Sequence, residues 1–160
     1  MSSFNRRALL VGGASALASC GFTPLHGERT DDLAQRISLQ EAFDPETFAF
    51  RERMRRRVGH ADDGAVYGLS YRLEMEETAV AIDTASDVTR FRVTATADWR
   101  LTRLSDGTAV GDGEVRTNGG YDATAAPFAT RAAQKAEREE LAQELAELVA
   151  TRILAFATSD

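Results

Sequence analysis

Two stretches of the chain alternate apolar and polar residues with a period of two. The apolar positions of the first stretch are Tyr67, Leu69, Tyr71, Leu73 and Met75. Those of the second are Phe91, Val93, Ala95, Ala97, Trp99 and Leu101. The positions between them are mostly charged or hydroxyl-bearing. Such alternation is typical of an antiparallel sheet with one face buried and one face exposed to water or a partner.

A tight turn and two further strands complete the predicted sheet. Asp106-Gly107 follows the second stretch, and this pair readily adopts the positive φ angles of a hairpin turn. We expect a return strand over roughly residues 109–121. Its four glycines predict bulges or bending: Gly111, Gly113, Gly119 and Gly120. The shorter alternation of residues 36–40 predicts a first strand.

The segment after the first strand has the signals of a helix. Asp44 is a suitable N-cap, and Pro45 suits the first helical position. Phe43 is spaced to pack against Phe48. The apolar face is expected to consist of Phe50, Met54 and Val58, with Gly59 ending the helix.

A second and longer helix is predicted from Pro127 to Phe156, where the period returns to 3.6. Its apolar stripe is expected to contain Leu141, Leu145, Leu148, Val149, Ile153 and Phe156, extended backwards by Ala133 and Ala136. The opposite side is expected to carry Glu137, Arg138, Glu140, Glu144 and Glu147 in solvent.

The order of these elements predicts the fold class. Two helices laid over one face of a sheet bury both apolar stripes. We therefore expect an α+β two-layer sandwich, with an antiparallel or mixed sheet of about four strands and two helices packed on one face. The predicted single domain covers residues 35–158.

The N-terminus resembles a bacterial lipoprotein signal. Arg6 and Arg7 precede an uncharged apolar stretch, which is too short for the about 20 residues that span a bilayer. The stretch ends in Leu17-Ala18-Ser19-Cys20, which resembles the lipobox, and Cys20 is the single cysteine. We expect residues 1–19 to be removed, Cys20 to be acylated, and residues 20–34 to form a tether. The arginine pair is compatible with general or twin-arginine export.

The residue after Cys20 bears on the membrane that receives the protein. In lipoprotein families, aspartate at that position is associated with retention at the inner membrane. Gly21 stands there in this chain. This residue favours the outer membrane.

Composition argues against several classes of function. Cleavage before Cys20 would remove two of the 19 basic residues and none of the 25 acidic ones, leaving an acidic domain unsuited to nucleic acid. The two histidines, His26 and His60, have no cysteine or second histidine at metal-ligand spacing. We therefore expect no catalytic residues, no cofactor and no metal.

Two groups of arginines are candidates for contact with phosphate groups. The first is dense and helical: Arg51, Arg53, Arg55, Arg56 and Arg57. A solvated helix end is the favoured interpretation there, because cations stabilise the C-terminal end of the helix dipole. The second group, Arg90, Arg92 and Arg100, lies on the polar face of the strongest strand. That face is compatible with an anionic ligand, a barrel wall or plain solvation.

Several motifs in order resemble the lipopolysaccharide-assembly lipoprotein family, LptE. The segment Cys20-Gly21-Phe22-Thr23-Pro24-Leu25-His26-Gly27 is similar to the family's mature N-terminus, with His26 in place of the usual tyrosine. The resemblance continues through Arg90-Phe91-Arg92-Val93, Trp99-Arg100-Leu101, Asp106-Gly107, Tyr121, Phe128-Ala129, Leu141-Ala142 and Ile153-Leu154.

The resemblance implies a non-catalytic outer-membrane lipoprotein that sits inside the β-barrel partner LptD. There it would act as a plug and assembly factor and help to pass lipopolysaccharide to the outer leaflet. The resemblance also implies that basic residues take part in lipopolysaccharide contact, and Arg90 and Arg92 are our candidates by location. The alternatives are an accessory subunit of another envelope complex, such as a secretin pilot, and a lipid-modified enzyme.

Overall fold

The computed structural model describes residues 36–82 and 88–157. They form β1 (Ile37–Leu39), α1 (Pro45–Val58), β2 (Tyr67–Ile82), β3 (Val88–Arg103), β4 (Ala109–Asp122) and α2 (Pro127–Ala157). This is the expected α+β arrangement of a four-stranded mixed sheet and two helices. The predicted signal peptide, Cys20, the tether and His26 lie outside the described residues.

The four strands lie side by side in the order of the sequence. β1 runs parallel to β2 and pairs with it over three residues only, from Ile37 opposite Tyr67 to Leu39 opposite Leu69. The parallel direction follows from the intervening helix α1, which carries the chain back before β2 begins. β2, β3 and β4 form an antiparallel meander of long strands.

Helix α1 begins and ends where its sequence signals indicate. The Asp44 carboxylate accepts a hydrogen bond from the Thr47 N–H at 2.7 Å, and Thr47 Oγ1 accepts one from the Asp44 N–H. Phe50, Met54 and Val58 are fully buried, and the Phe50 ring lies 4.4 Å from that of Tyr71. Phe43 and Phe48 were expected to pack against each other at this helix start. They remain 82% and 58% exposed, so both rings lie largely in solvent.

Helix α2 buries a stripe shifted from the predicted one. Leu141, Leu145, Val149 and Ile153 are buried as expected. Leu148 and Phe156 are 41% and 47% exposed, however, and Ala136 is exposed. The stripe is instead completed by Ala142, Ala146, Ala150 and Leu154. The small side chains let α2 approach α1 and the sheet closely, which moves the buried face towards the alanines.

The glycines of β4 make space rather than bulges. Only one irregularity interrupts the β3–β4 register, at Val110, and pairing is continuous from Gly111 to Asp122. A Cβ at Gly119 would lie 3.2 Å from Leu141 Cδ2, and one at Gly120 would lie 2.6 Å from the Phe91 carbonyl oxygen. The prediction of a bulge was therefore wrong at Gly113, Gly119 and Gly120, and the last two of these glycines serve close packing.

Candidate functional site

The outer face of the sheet is left uncovered by both helices in the described part of the chain. Both helices share a buried core with the inner side chains of β2 and β3, including Tyr71, Val93 and Trp99. Side chains alternate along each strand, so the even-numbered residues of β3 project to the other side. These are Arg90, Arg92, Thr94, Thr96, Asp98, Arg100 and Thr102.

Arg92 has no charged residue directly opposite it on this face. The register places it between Thr78 of β2 and Gly120 of β4. Its side chain is exposed, and it forms no ion pair with another described residue. Arg90 differs, because its guanidinium lies 3.6 Å from the Asp122 carboxylate across the strand pair. The two candidates are therefore together at one end of the face, with Arg92 the freer of the two.

The middle of the outer face is mainly acidic. Its central groove is lined by Glu74, Glu76, Asp98 and Glu114 together with Arg116 and threonines. Arg116 lies 3.3 Å from Glu114. Arg100 lies beyond this groove and directly opposite Asp112. An anionic ligand would therefore be attracted to the Arg90–Arg92 end and repelled from the centre.

The arginines of α1 are divided between two roles. Arg53 and Arg57 both bind Glu147 of α2, with Arg57 Nε 2.9 Å from the carboxylate. Two cations on one carboxylate hold the helices together, so the solvated-face interpretation was wrong for this pair. Arg55 lies 3.8 Å from Glu52 within the helix and is well exposed, in agreement with that interpretation.

A polar cluster closes the sandwich at the end opposite β1. Glu77 of β2 accepts hydrogen bonds from Tyr121 Oη at 2.9 Å, Gln134 Nε2 at 2.8 Å and Arg138 at 2.9 Å. The same Arg138 donates from Nε to Glu46 of α1 at 2.6 Å. One guanidinium thus links two carboxylates, and the cluster connects both helices with β2 and β4.

This cluster shifts the pKa values of its members. Burial disfavours ionised Glu77, but the hydrogen bonds from Arg138, Tyr121 and Gln134 outweigh it and lower its pKa below 4.5. Burial, followed by the hydrogen bond to Glu77, raises the pKa of Tyr121 to about 12. The hydrogen bond to Glu46 raises the pKa of Arg138, with a further contribution from Glu77. The cluster is therefore charged and paired at neutral pH.

Sequence reasoning missed this cluster, although one signal was present. Glu77 continues the inward alternation that ends with Leu73 and Met75, so its parity points it towards the helices. Arg138 was expected in solvent, but its side chain is only 30% exposed. Glu137 also contradicts that expectation, because it accepts a hydrogen bond from the Gly120 N–H at 2.6 Å.

An exposed aromatic groove lies at the start of α1. Its lining combines apolar side chains of the loop and α1 with polar side chains of both helices: Phe43, Pro45, Phe48, Glu52, Arg56, Glu139 and Gln143. It contains a cation, carboxylates and an amide, and none of the described lining residues is a serine, threonine, cysteine, histidine or lysine.

His60 has a structural role. Its Nδ1 accepts a hydrogen bond from the Leu39 N–H at 3.2 Å, and its Nε2 lies 3.1 Å from the Asp62 carboxylate. Both ring nitrogens are thus occupied at the end of β1. Within residues 36–82 and 88–157, no three side chains of histidine, cysteine, aspartate or glutamate are grouped to hold a metal ion. No helix in this part of the chain is long and apolar enough to cross a membrane.

Solved structures of three lipoproteins share the fold of this chain. A Caulobacter crescentus lipoprotein aligns with a TM-score of 0.66 at 23% identity, over 82% of this chain and 97% of that one. Rare lipoprotein B of Shewanella oneidensis aligns at 0.58 and 13%, over 74% and 92%. Uncharacterized lipoprotein B of Nitrosomonas europaea aligns at 0.56 and 11%, over 77% and 83%. At these identities the likeness shows the fold alone.

Sequence comparison gives a more specific result. A comparison with curated proteins finds no match. The family model of LptE, described as lipopolysaccharide-assembly, matches residues 32–155 and so covers all four strands, α1 and all but the last two residues of α2. The resemblance seen in the sequence is thereby confirmed, and the chain belongs to the LptE family.

Proposed function

We propose that this protein is a non-catalytic, lipid-anchored component of lipopolysaccharide assembly at the outer membrane. Membership of LptE supports the role in lipopolysaccharide assembly. In the proposal, residues 1–19 are removed, Cys20 carries the acyl chains, and residues 20–34 tether the domain to the periplasmic face of the membrane. More than one acyl chain is needed for stable anchoring.

The partner in this proposal is an outer-membrane β-barrel of the LptD type, within which the domain acts as plug and assembly factor. The outer sheet face supports such a role, because it is polar, continuous and free of the two helices. Polar side chains suit contact with a water-filled barrel interior. Lipopolysaccharide is the second proposed ligand, and its phosphates are suited to the basic end of that face.

The observation that carries lipopolysaccharide binding is the environment of Arg92. An arginine with no carboxylate opposite it is free to form a charge-assisted hydrogen bond to phosphate. Such a bond contributes roughly 1.5–3 kcal/mol, and about 1.4 kcal/mol is a factor of ten in affinity. Arg90 contributes less, because a ligand must compete with Asp122 for its guanidinium.

Titration of purified lipopolysaccharide at fixed salt tests this assignment. Arg92→Ser should weaken binding about tenfold or more, and Arg90→Ser by less. Arg100→Ser is the matched control, because it removes the same charge from the same strand beside Asp112. An equal loss in all three variants would indicate general electrostatic attraction, and no loss in Arg92→Ser would overturn the assignment.

Purification of the acylated protein from native membranes in mild detergent tests the partner. We expect a barrel of the LptD type to co-purify in stoichiometric amount. A secretin in its place would favour the accessory-subunit alternative. Absence of the barrel from gently extracted complexes would refute the plug and assembly role.

A further inference from the structure

One edge of the sheet is largely unpaired in the described part of the chain. β2 contains 16 residues, whereas its neighbour β1 contains three. The β1 ladder covers Tyr67 to Leu69, and Gln40 extends it slightly by donating its N–H to the Leu69 carbonyl. Beyond Tyr71, no described strand lies on this side of β2. The opposite side of β2 remains paired with β3 along its length.

The structure identifies which backbone groups face this open edge. Leu69 O and Tyr71 N both point towards β1, since they bind the Gln40 N–H and the Gln40 side chain. In an antiparallel pair, residues alternate between bonding their partner strand and facing away from it. The N–H and C=O groups of Leu73, Met75 and Glu77 therefore also face outwards.

The side chains beside these groups define what would fit there. Leu73 and Met75 point towards the core and are only half-buried, so apolar surface remains next to the edge. Glu74 and Glu76 are exposed on the outer face. A strand added at this edge would therefore place one set of side chains against apolar groups and the alternate set against two carboxylates.

A second copy of this chain is a poor occupant. Two β2 edges that pair antiparallel about Met75 place Glu74 opposite Glu76. Pairing about Glu76 or Glu77 places each of these residues opposite its own copy. Pairing about Leu73 would place Arg72 opposite Glu74, but it would also need the edge at Leu69 and Tyr71, which is already bonded to Gln40. Like charges directly opposite each other are destabilising in a sheet. Basic residues at the same positions would instead be attracted, so the charge pattern selects a different chain.

We propose that the β2 edge from Leu73 to Glu77 accepts an extended strand of another protein, in which apolar residues alternate with basic ones. Backbone hydrogen bonds provide the attachment in this mode of recognition, and the alternate side chains provide the specificity. The proposal goes beyond the proposed function, because neither lipopolysaccharide nor the lipid anchor takes part in it.

Amide hydrogen exchange of the full chain in mild detergent, resolved by NMR, tests the proposal. The probes are two eight-residue peptides, one alternating valine and lysine and the other alternating valine and glutamate. At saturation, the basic peptide should slow exchange of the Leu73, Met75 and Glu77 amides at least tenfold, and the acidic peptide should not. Amides of β4, the other edge strand, should be unaffected.

Two sets of variants make the result specific. Met75→Pro removes an outward-facing donor without removing a bond to β3 and should abolish the protection, whereas Met75→Leu should retain it. Glu74→Lys combined with Glu76→Lys should transfer the protection to the acidic peptide, and this pair keeps the test valid if the proline variant does not fold. Equal protection by both peptides, protection of β4 instead, or protection before any peptide is added would overturn the proposal.

Discussion

Arg138→Met tests whether the polar cluster at the end of the sandwich stabilises the fold. Methionine keeps much of the unbranched length of arginine and removes the guanidinium. Two carboxylates, Glu46 and Glu77, then lose their shared cation. They are 21% and 19% exposed, so water reaches each only in part.

The expected cost follows from the contacts that are lost. Hydrogen bonds to charged groups contribute about 1.5–3 kcal/mol each, and breaking a fully buried ion pair costs about 3–5 kcal/mol. Arg138 is 30% exposed, and its replacement lets water solvate part of the cluster. We therefore expect the free energy of unfolding to fall by about 2–3 kcal/mol, equivalent to roughly 8–12 °C in Tm for a domain of this size.

The dependence of stability on pH provides a second readout. The pKa of Glu77 is lowered in the folded protein, so its contribution is present above its ordinary value of 4.5. That contribution is lost as the pH falls through the lower folded pKa. Arg138→Met removes the strongest hydrogen bond that lowers this pKa, so the loss of stability between pH 6 and about pH 3 should be smaller than in the wild-type protein.

Urea unfolding of the full chain in mild detergent, repeated across this pH range, measures both effects. Arg131→Met is the matched control, because Arg131 is an exposed arginine about two turns before Arg138 on α2. It should change the free energy of unfolding by no more than about 0.5 kcal/mol. An equal effect of the two substitutions, with parallel pH profiles, would refute a stabilising role of the cluster.

Three further predictions concern the core, the sheet and the anchor. Leu145→Asp places a charge in the fully buried α2 interface and should abolish cooperative thermal unfolding. Glu140→Lys, at an exposed position of the same helix, should change the free energy of unfolding by about 0.5 kcal/mol, and similar melting curves for both variants would contradict the assigned face. Gly120→Ala brings a Cβ to 2.6 Å from the Phe91 carbonyl oxygen and should cost about 1–3 kcal/mol in urea unfolding, and an unchanged midpoint would contradict this close approach. Cys20→Ala should abolish labelling by an alkyne fatty acid, and labelling equal to that of the wild type would refute the lipid anchor.

The sequence predicted those features that depend on neighbouring residues along the chain. The N-cap at Asp44 and the hairpin at Asp106-Gly107 are local structures, and both are confirmed. Alternation likewise placed every second residue from Val93 to Leu101 on the buried face, because strand geometry fixes the direction of each side chain. The fold class followed from the order of these elements.

Features that depend on how two elements meet were not predictable in this way. The helical period gives the direction of Arg138 and Glu147 relative to α2, but not the position of α1 and β2 beside that helix. Both residues flank the apolar stripe, where a solvated side chain and an interhelical ion pair have the same periodicity. The glycines of β4 are a similar case, since a bulge and a close approach both require a missing side chain.

In the proposed function, recognition uses the face of β3 opposite to the one that packs in the core. The inner face of β3 contains Val93, Ala95 and Trp99 in the core, and their immediate neighbours Arg92 and Thr94 lie on the outer face. A substitution at an outer position therefore changes charge or shape without removing core contacts. The lipopolysaccharide titration and the peptide-exchange experiment both use substitutions of outer-face charges. These are Arg92→Ser in the first experiment and Glu74→Lys with Glu76→Lys in the second. We expect these variants to change binding while Tm stays the same. A fall in Tm that accompanies the loss for Arg92→Ser would show that this strand does not separate the two tasks.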